Sequence, residues 1–236
     1  AAVFTQPDKP VGRKQILTPS EVKVYAQQRL PAVPIFQPTS LKDEGAQAQI
    51  KEIKPDFIVV AAYGKILPQS VLDIAPCINL HASILPKYRG ASPIQSAILA
   101  GEKQTGVTAM LMDAGLDTGD MLLWREVPIH ADTTYGTLHD ALMETGASLL
   151  VETLERLAAG TLVRTPQTGA SCYAARITRE TAVIDWSRSA RKLDALVRGL
   201  NPTPYAQTSL AGDTYKVGAL RSTCLLYTSP SPRDRQ

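Results

Sequence analysis

The sequence is short of cysteine, has no long apolar run and carries no phosphate-binding glycine loop, and each shortage removes a class of protein. Its three cysteines, Cys77, Cys172 and Cys224, are odd in number and lack metal-ligand spacing. They fit a reducing, cytoplasmic location better than a disulfide framework. No stretch approaches the length of a membrane span, so no membrane partner is expected. No basic, apolar and small-residue leader opens the chain. The GxGxxG and GxxxxGK[ST] patterns are both missing, which argues against a dinucleotide or ATP enzyme. No set of histidine, cysteine and carboxylate has the spacing of a catalytic metal site, so no metal is expected.

What is present describes a chain that buries a real core. At 236 residues, 44% hydrophobic and 20% charged, it holds one large domain or one domain and part of another. The net charge of +3 hides an asymmetry. Residues 1–30 hold five Lys/Arg against two Asp/Glu, residues 31–170 ten against fifteen, and residues 171–221 eight against four. Basic flanks bracket an acidic body, a pattern that suits either a polyanion or an ordinary solvated surface.

Strand and helix patterns alternate along the chain. "PSEVKVYAQQ" starts a helix with Ser20 near its cap, and "LKDEGAQAQIKEIKP" reads as a second. "DFIVVAAY" (56–63) is an apolar, β-branched run expected to be buried on both faces of a parallel sheet. "CINLHAS" is the next strand, and "SPIQSAILAGE" places Ile94, Ala97 and Ile98 on one helical face. Two strands follow, "TGVTAMLMD" and "GDMLLWREVPI", joined by "AGLDTG". A long helix with Leu150, Leu154 and Leu157 stacked then stops at Gly160. Together these predict an α/β, Rossmann-like fold with a mostly parallel sheet. Residues 164–181 read as an irregular linker, followed by a helix ending at Asn201-Pro202 and a hairpin near Gly212-Asp213.

Residues 78–95, "INLHASILPKYRGASPIQ", stand out. Alternate residues of a strand share a face, so Asn79, His81 and Ser83 project together at a strand end. Ligands of open α/β sheets gather there. The loop "MDAGLDTGDM" adds Asp113, Asp117 and Asp120 at the same edge. Each could form a turn, and one could set the tautomer of His81 and accept a proton. The residue types point to acyl or proton chemistry.

These stretches resemble the signatures of formyltransferases that use 10-formyltetrahydrofolate. The likeness lies in Asn-x-His, Ser-x-Leu-Pro and Arg-Gly, and in the Asp of "LDTG". It runs from about Val3 to Val217 and is strongest to members that act on methionyl-tRNA, through "VFTQPDKPVGRKQILTPSEVKVYA", "DFIVVAAYGKILP" and "IDWSRSARKLDALVRGLNP". The resemblance implies a catalytic triad of Asn79, His81 and Asp117, and a tetrahydrofolate-binding turn of Ser83, Ile84, Leu85 and Pro86. It implies a formyl donor, 10-formyltetrahydrofolate, and an acceptor, the α-amine of initiator methionyl-tRNA. Asn79 and His81 would donate to the tetrahedral oxyanion, while Asp117 orients His81 and accepts the amine proton. Lys9, Arg13 and Lys14 would meet the tRNA acceptor stem, with a monomer as the working unit. A formyltransferase for a small amine, such as a sugar nucleotide or glycinamide ribonucleotide, stays open. So does a non-catalytic RNA-binding remnant.

The implied organisation is a catalytic domain over 1–163, the linker 164–181, and the start of a small β-barrel domain over 182–220. Residues 221–236 are expected to be a non-native or disordered tail. Three departures accompany the resemblance. The family's opening strand, glycine turn and helix are not in this chain, and the barrel is only begun. Asn201-Pro202-Thr203-Pro204 also stands where the family has Asn-Pro-Trp-Pro. Truncation at both ends is therefore the expectation.

Overall fold

The computed structural model describes residues 1–12, 14–64 and 67–221. In chain order, β1 (Val3–Phe4) is followed by β2 (Lys9–Val11), β3 (Ile16–Thr18), α1 (Glu21–Arg29), β4 (Ile35–Phe36) and α2 (Glu44–Ile53). Then come β5 (Ile58–Val60), α3 (Gln69–Leu72), β6 (Cys77–His81), β7 (Arg89–Gly90) and α4 (Pro93–Ala100). β8 (Gln104–Leu111), β9 (Met121–Pro128) and α5 (Tyr135–Ala158) follow. The chain closes with β10 (Tyr173–Ala174), α6 (Ala190–Gly199), β11 (Ala206–Leu210) and β12 (Asp213–Val217).

Local chemistry sets the helix boundaries. Ser20 and Asp43 each accept a backbone N–H in the first turn of α1 and α2, from Lys23 and Ala46. Thr134 and Thr137 cap α5 reciprocally. Gly101 and Gly160, both at positive φ, follow α4 and α5 where a left-handed residue releases the chain.

The α/β expectation is met, with a mixed central sheet of order β5-β6-β8-β9. β5 and β6 run parallel, whereas β8 is antiparallel to both β6 and β9. Adjacent residues of β6 serve opposite faces. Ile78 joins the core of Ile94, Ile98, Val107, Leu138 and Leu149, while Cys77 joins that of Leu41, Ile50 and Val71. The sheet is thus covered by helices on both sides. A third core of Ala182, Ile184, Leu193, Val197 and Leu200 belongs to the C-terminal part. That part docks onto the first through α6. Arg198 donates to the Thr133 carbonyl at 2.8 Å, and Gly199 lies where a Cβ would touch Ile98 and Leu99.

Four expectations change. The run 56–63 yields only the three-residue β5 at the sheet edge, where Val59 is 42% exposed. Among the described residues no strand pairs with its outer edge, and at this edge strand Val59 is left open to solvent while Ile58 and Val60 pack inward. The buried seam of α5 is Leu138, Leu142, Leu149 and Thr153, with Leu150, Leu154 and Leu157 on its flank. The opening basic loop is a hairpin, β2 against β3, and Val11, Ile16 and Leu17 are exposed on it. Finally, the 164–181 segment is not wholly irregular, because its β10 pairs in parallel with β7.

Candidate active site

β6 delivers Asn79 and His81 on the face shared with Cys77, and neighbouring β8 fixes their height by pairing Met110 with Asn79 and Thr108 with His81. His81 is buried, at 6% exposure. Its Nε2 lies 2.8 Å from the Tyr88 carbonyl. A carbonyl only accepts, so Nε2 carries the hydrogen. Nδ1 faces the other way, 3.7 Å from Asp117 Oδ2. That separation is electrostatic contact and longer than a hydrogen bond. Asn79 is half-buried, and its amide has no hydrogen-bond partner among the described residues. A free carboxamide on the same face as a tautomer-locked imidazole can donate to a substrate carbonyl.

Asp117 sits at φ +54°, a left-handed conformation that costs a non-glycine residue about 1–2 kcal/mol. Its carboxylate accepts the Gly90 N–H at 2.8 Å, which couples the β8–β9 loop to β7. Asp113 has turned out to be the turn former. It accepts the Gly115 N–H at 2.9 Å and the Thr118 hydroxyl at 2.7 Å. Asp120 contributes its backbone carbonyl to Leu111. Of the three loop carboxylates, Asp117 is the one placed beside His81.

The Ser83–Pro86 turn is built from the inside. Ser83 is fully buried and donates to the Lys87 carbonyl at 2.5 Å, and Leu85 packs with Met110 and Met121. The side chains of Ser83 and Leu85 therefore shape the turn, while Ile84 and Pro86 are half-buried. Tyr88, at φ +58°, presents its carbonyl to His81 and donates its hydroxyl to Glu102 at 2.8 Å. Burial, with help from Glu102, pushes the Tyr88 hydroxyl well above the ordinary phenol range.

Lys9 and Lys14 are exposed, and Lys9 Nζ meets Gln6 Oε1. Arg13 lies outside the described residues. Among the described residues no group of three His, Cys, Asp or Glu side chains could hold a metal. A surface concavity of about 620 Å³ is lined by Lys51, Lys54, Ser70 and Asp73 and holds none of the trio. Chemistry outweighs volume here, because ligand sites of such sheets gather beyond the carboxyl ends of strands.

Sequence reasoning missed the Tyr88 carbonyl, the Gly90 N–H and Gln167, which bonds both Arg89 and the Asp117 loop. Backbone groups carry no side-chain signature. Gln167 lies in a stretch without periodicity.

The family model described as formyl transferase matches residues 1–154, and that described as formyl transferase, C-terminal domain, matches residues 176–225. The chain belongs to the formyl transferase family. It is 52% identical over 219 residues to the methionyl-tRNA formyltransferase of Chromohalobacter salexigens, covering 92% of this chain and 67% of that one. Among solved structures, the methionyl-tRNA formyltransferase from Clostridium thermocellum superposes with a TM-score of 0.63 at 22% identity, covering 82% of this chain and 84% of that one. HypX from Aquifex aeolicus in complex with tetrahydrofolic acid gives 0.69 at 18% identity, over 90% of this chain and 36% of that one. At such identities the structures report a shared fold.

Proposed function

We propose that the protein transfers the formyl group of 10-formyltetrahydrofolate to the α-amine of initiator methionyl-tRNA, using Asn79, His81 and Asp117. The relative from Chromohalobacter salexigens that supports this acceptor is 52% identical. The observation that carries the chemistry is the fixed tautomer of His81 beside Asp117.

The amine nitrogen attacks the formyl carbon, whose carbonyl becomes an oxyanion while the amine sheds a proton. The C–N bond to the folate then breaks, and the folate nitrogen takes a proton as it leaves. Asn79, with its amide free, donates to the oxyanion, the preorganised stabilisation that dominates acyl transfer. Neutral His81 cannot share that task, because its one N–H points at Tyr88. Its Nδ1 lone pair instead takes the amine proton, and the Asp117 carboxylate stabilises the imidazolium that results. This revises the expected division of labour, in which His81 donated to the oxyanion and Asp117 was the acceptor.

The Ser83–Pro86 turn offers the folate its half-buried Ile84 and Pro86 and its backbone, with Ser83 and Leu85 as internal supports. The acceptor RNA meets the β2–β3 hairpin through Lys9, Arg13 and Lys14, and the basic 171–221 segment adds a second footing. In this reading residues 1–163 are catalytic, 164–181 connect, and 182–220 begin the C-terminal unit. No helix among the described residues is long and apolar enough to cross a membrane.

The test is acceptor competition with 10-formyltetrahydrofolate as donor. Methionyl-tRNA is expected to be formylated with a far higher kcat/KM than a sugar-nucleotide amine, glycinamide ribonucleotide or methionine ester. A small amine matching methionyl-tRNA would overturn the acceptor assignment.

A further inference from the structure

Gln167 lies outside the recognised motifs, in the stretch between α5 and β10, yet all four of its carboxamide hydrogen bonds converge on the site. Its Nε2 donates to the Asp117 carbonyl at 2.9 Å and the Gly119 carbonyl at 2.8 Å. Its Oε1 accepts from Arg89 Nε at 3.0 Å and Nη2 at 2.7 Å. The main chain is clamped on both sides of it. Thr165 exchanges two backbone hydrogen bonds with Met121, and Cys172 accepts the Arg89 N–H at 3.0 Å.

We infer that Gln167 is a positioning residue that holds Asp117 in its left-handed conformation and sets its separation from His81. The inference rests on the proposed role of Asp117. Two anchors fix that residue: Gly90 holds its carboxylate and Gln167 its carbonyl. Aspartate tolerates the left-handed region better than most residues, and the two anchors select that conformation over the ordinary one. Only a carboxamide suits the position. Its NH2 faces two carbonyls and its oxygen faces a guanidinium. A carboxylate would keep the arginine and repel the carbonyls, whereas an ammonium would do the reverse.

The experiment is a double-mutant cycle on the complete protein, read as single-turnover formylation at saturating donor and acceptor. Gln167→Glu retains the Arg89 contact and is expected to fold cooperatively, with a modestly lowered Tm for the two carbonyls that lose their donor. Its turnover should nevertheless fall on the order of 10²-fold, the cost of an ångström-scale misplacement, with the folate Kd unchanged. In an Asp117→Asn background, Gln167→Glu should add little further loss, because it acts through the carboxylate already removed. Multiplying losses, or a Gln167→Glu variant as fast as the parent, would overturn the inference and leave the catalytic reading standing. An Asp117→Asn protein with parental turnover would overturn both.

Discussion

The Thr108 hydroxyl on β8 donates to the Ser83 carbonyl at 2.7 Å and accepts the Leu85 N–H at 3.3 Å, so one fully buried side chain closes the turn that follows β6. Thr108→Val keeps the volume and leaves both backbone groups unpaired. The loss should be about 1–3 kcal/mol, the usual penalty for an unsatisfied buried polar group. Urea unfolding measures it, and Thr108→Ser should recover most of it. A neutral Thr108→Val would show that the turn holds itself.

Gly90 links that turn to β10. At φ +112° an added Cβ would lie 2.5 Å from the Tyr173 ring and 2.8 Å from the Ala174 carbonyl. Gly90→Ala should therefore separate β7 from β10 and cost about 1–3 kcal/mol, as overpacking does. It should also loosen the Gly90 N–H bond to Asp117, so turnover should fall along with stability. Loss of stability with full turnover would show that this N–H does not matter to the chemistry.

Much of the scaffold was legible because burial writes a period into sequence. Ile94, Ala97 and Ile98 are buried on α4 as their spacing predicts; of the i, i+3, i+4, i+7 set Leu193, Leu196, Val197 and Leu200 along α6 and its C-cap, all but the partly buried Leu196 are buried too. Asn79 and His81 were legible through strand alternation and a polar strand end. The pairing of His81 with Asp117 rather than Asp113 was not readable from spacing, because it depends on a left-handed backbone and a glycine N–H from another loop. The inward turn of Ser83 was hidden for a related reason, since its partner is a backbone carbonyl four residues on. The exposed Val59 shows the converse, an apolar run whose strand has an unpaired edge among the described residues.

Cys77 supplies a pH dependence. Burial pushes its thiol from the ordinary value of 9.0 up to about 11. The folded state therefore holds the proton more tightly than the unfolded chain. This contribution is complete below pH 9 and is lost as pH rises towards 11. Tyr88 and Tyr63 are also raised, so the useful quantity is a difference. The stability gap between the parent and Cys77→Ala should shrink across that window. A constant gap would contradict it.

The RNA footing is read from salt dependence. Replacing Lys9 and Lys14 with Ala should weaken methionyl-tRNA binding and flatten the slope of log K against log salt by about 0.7–0.9 per lost phosphate contact. Folate affinity should not change. Equal slopes for parent and variant would make the hairpin an ordinary solvated surface.

Whether His81 moves the amine proton is read most directly by single-turnover formylation of methionyl-tRNA with His81→Gln at saturating 10-formyltetrahydrofolate. The variant keeps a polar side chain beside Tyr88 and lacks a basic nitrogen facing Asp117. Its rate is expected to fall by about 10²–10⁴, the usual worth of a general base, with the folate Kd retained. A rate indistinguishable from the parent would contradict the assignment of Nδ1 as the proton acceptor.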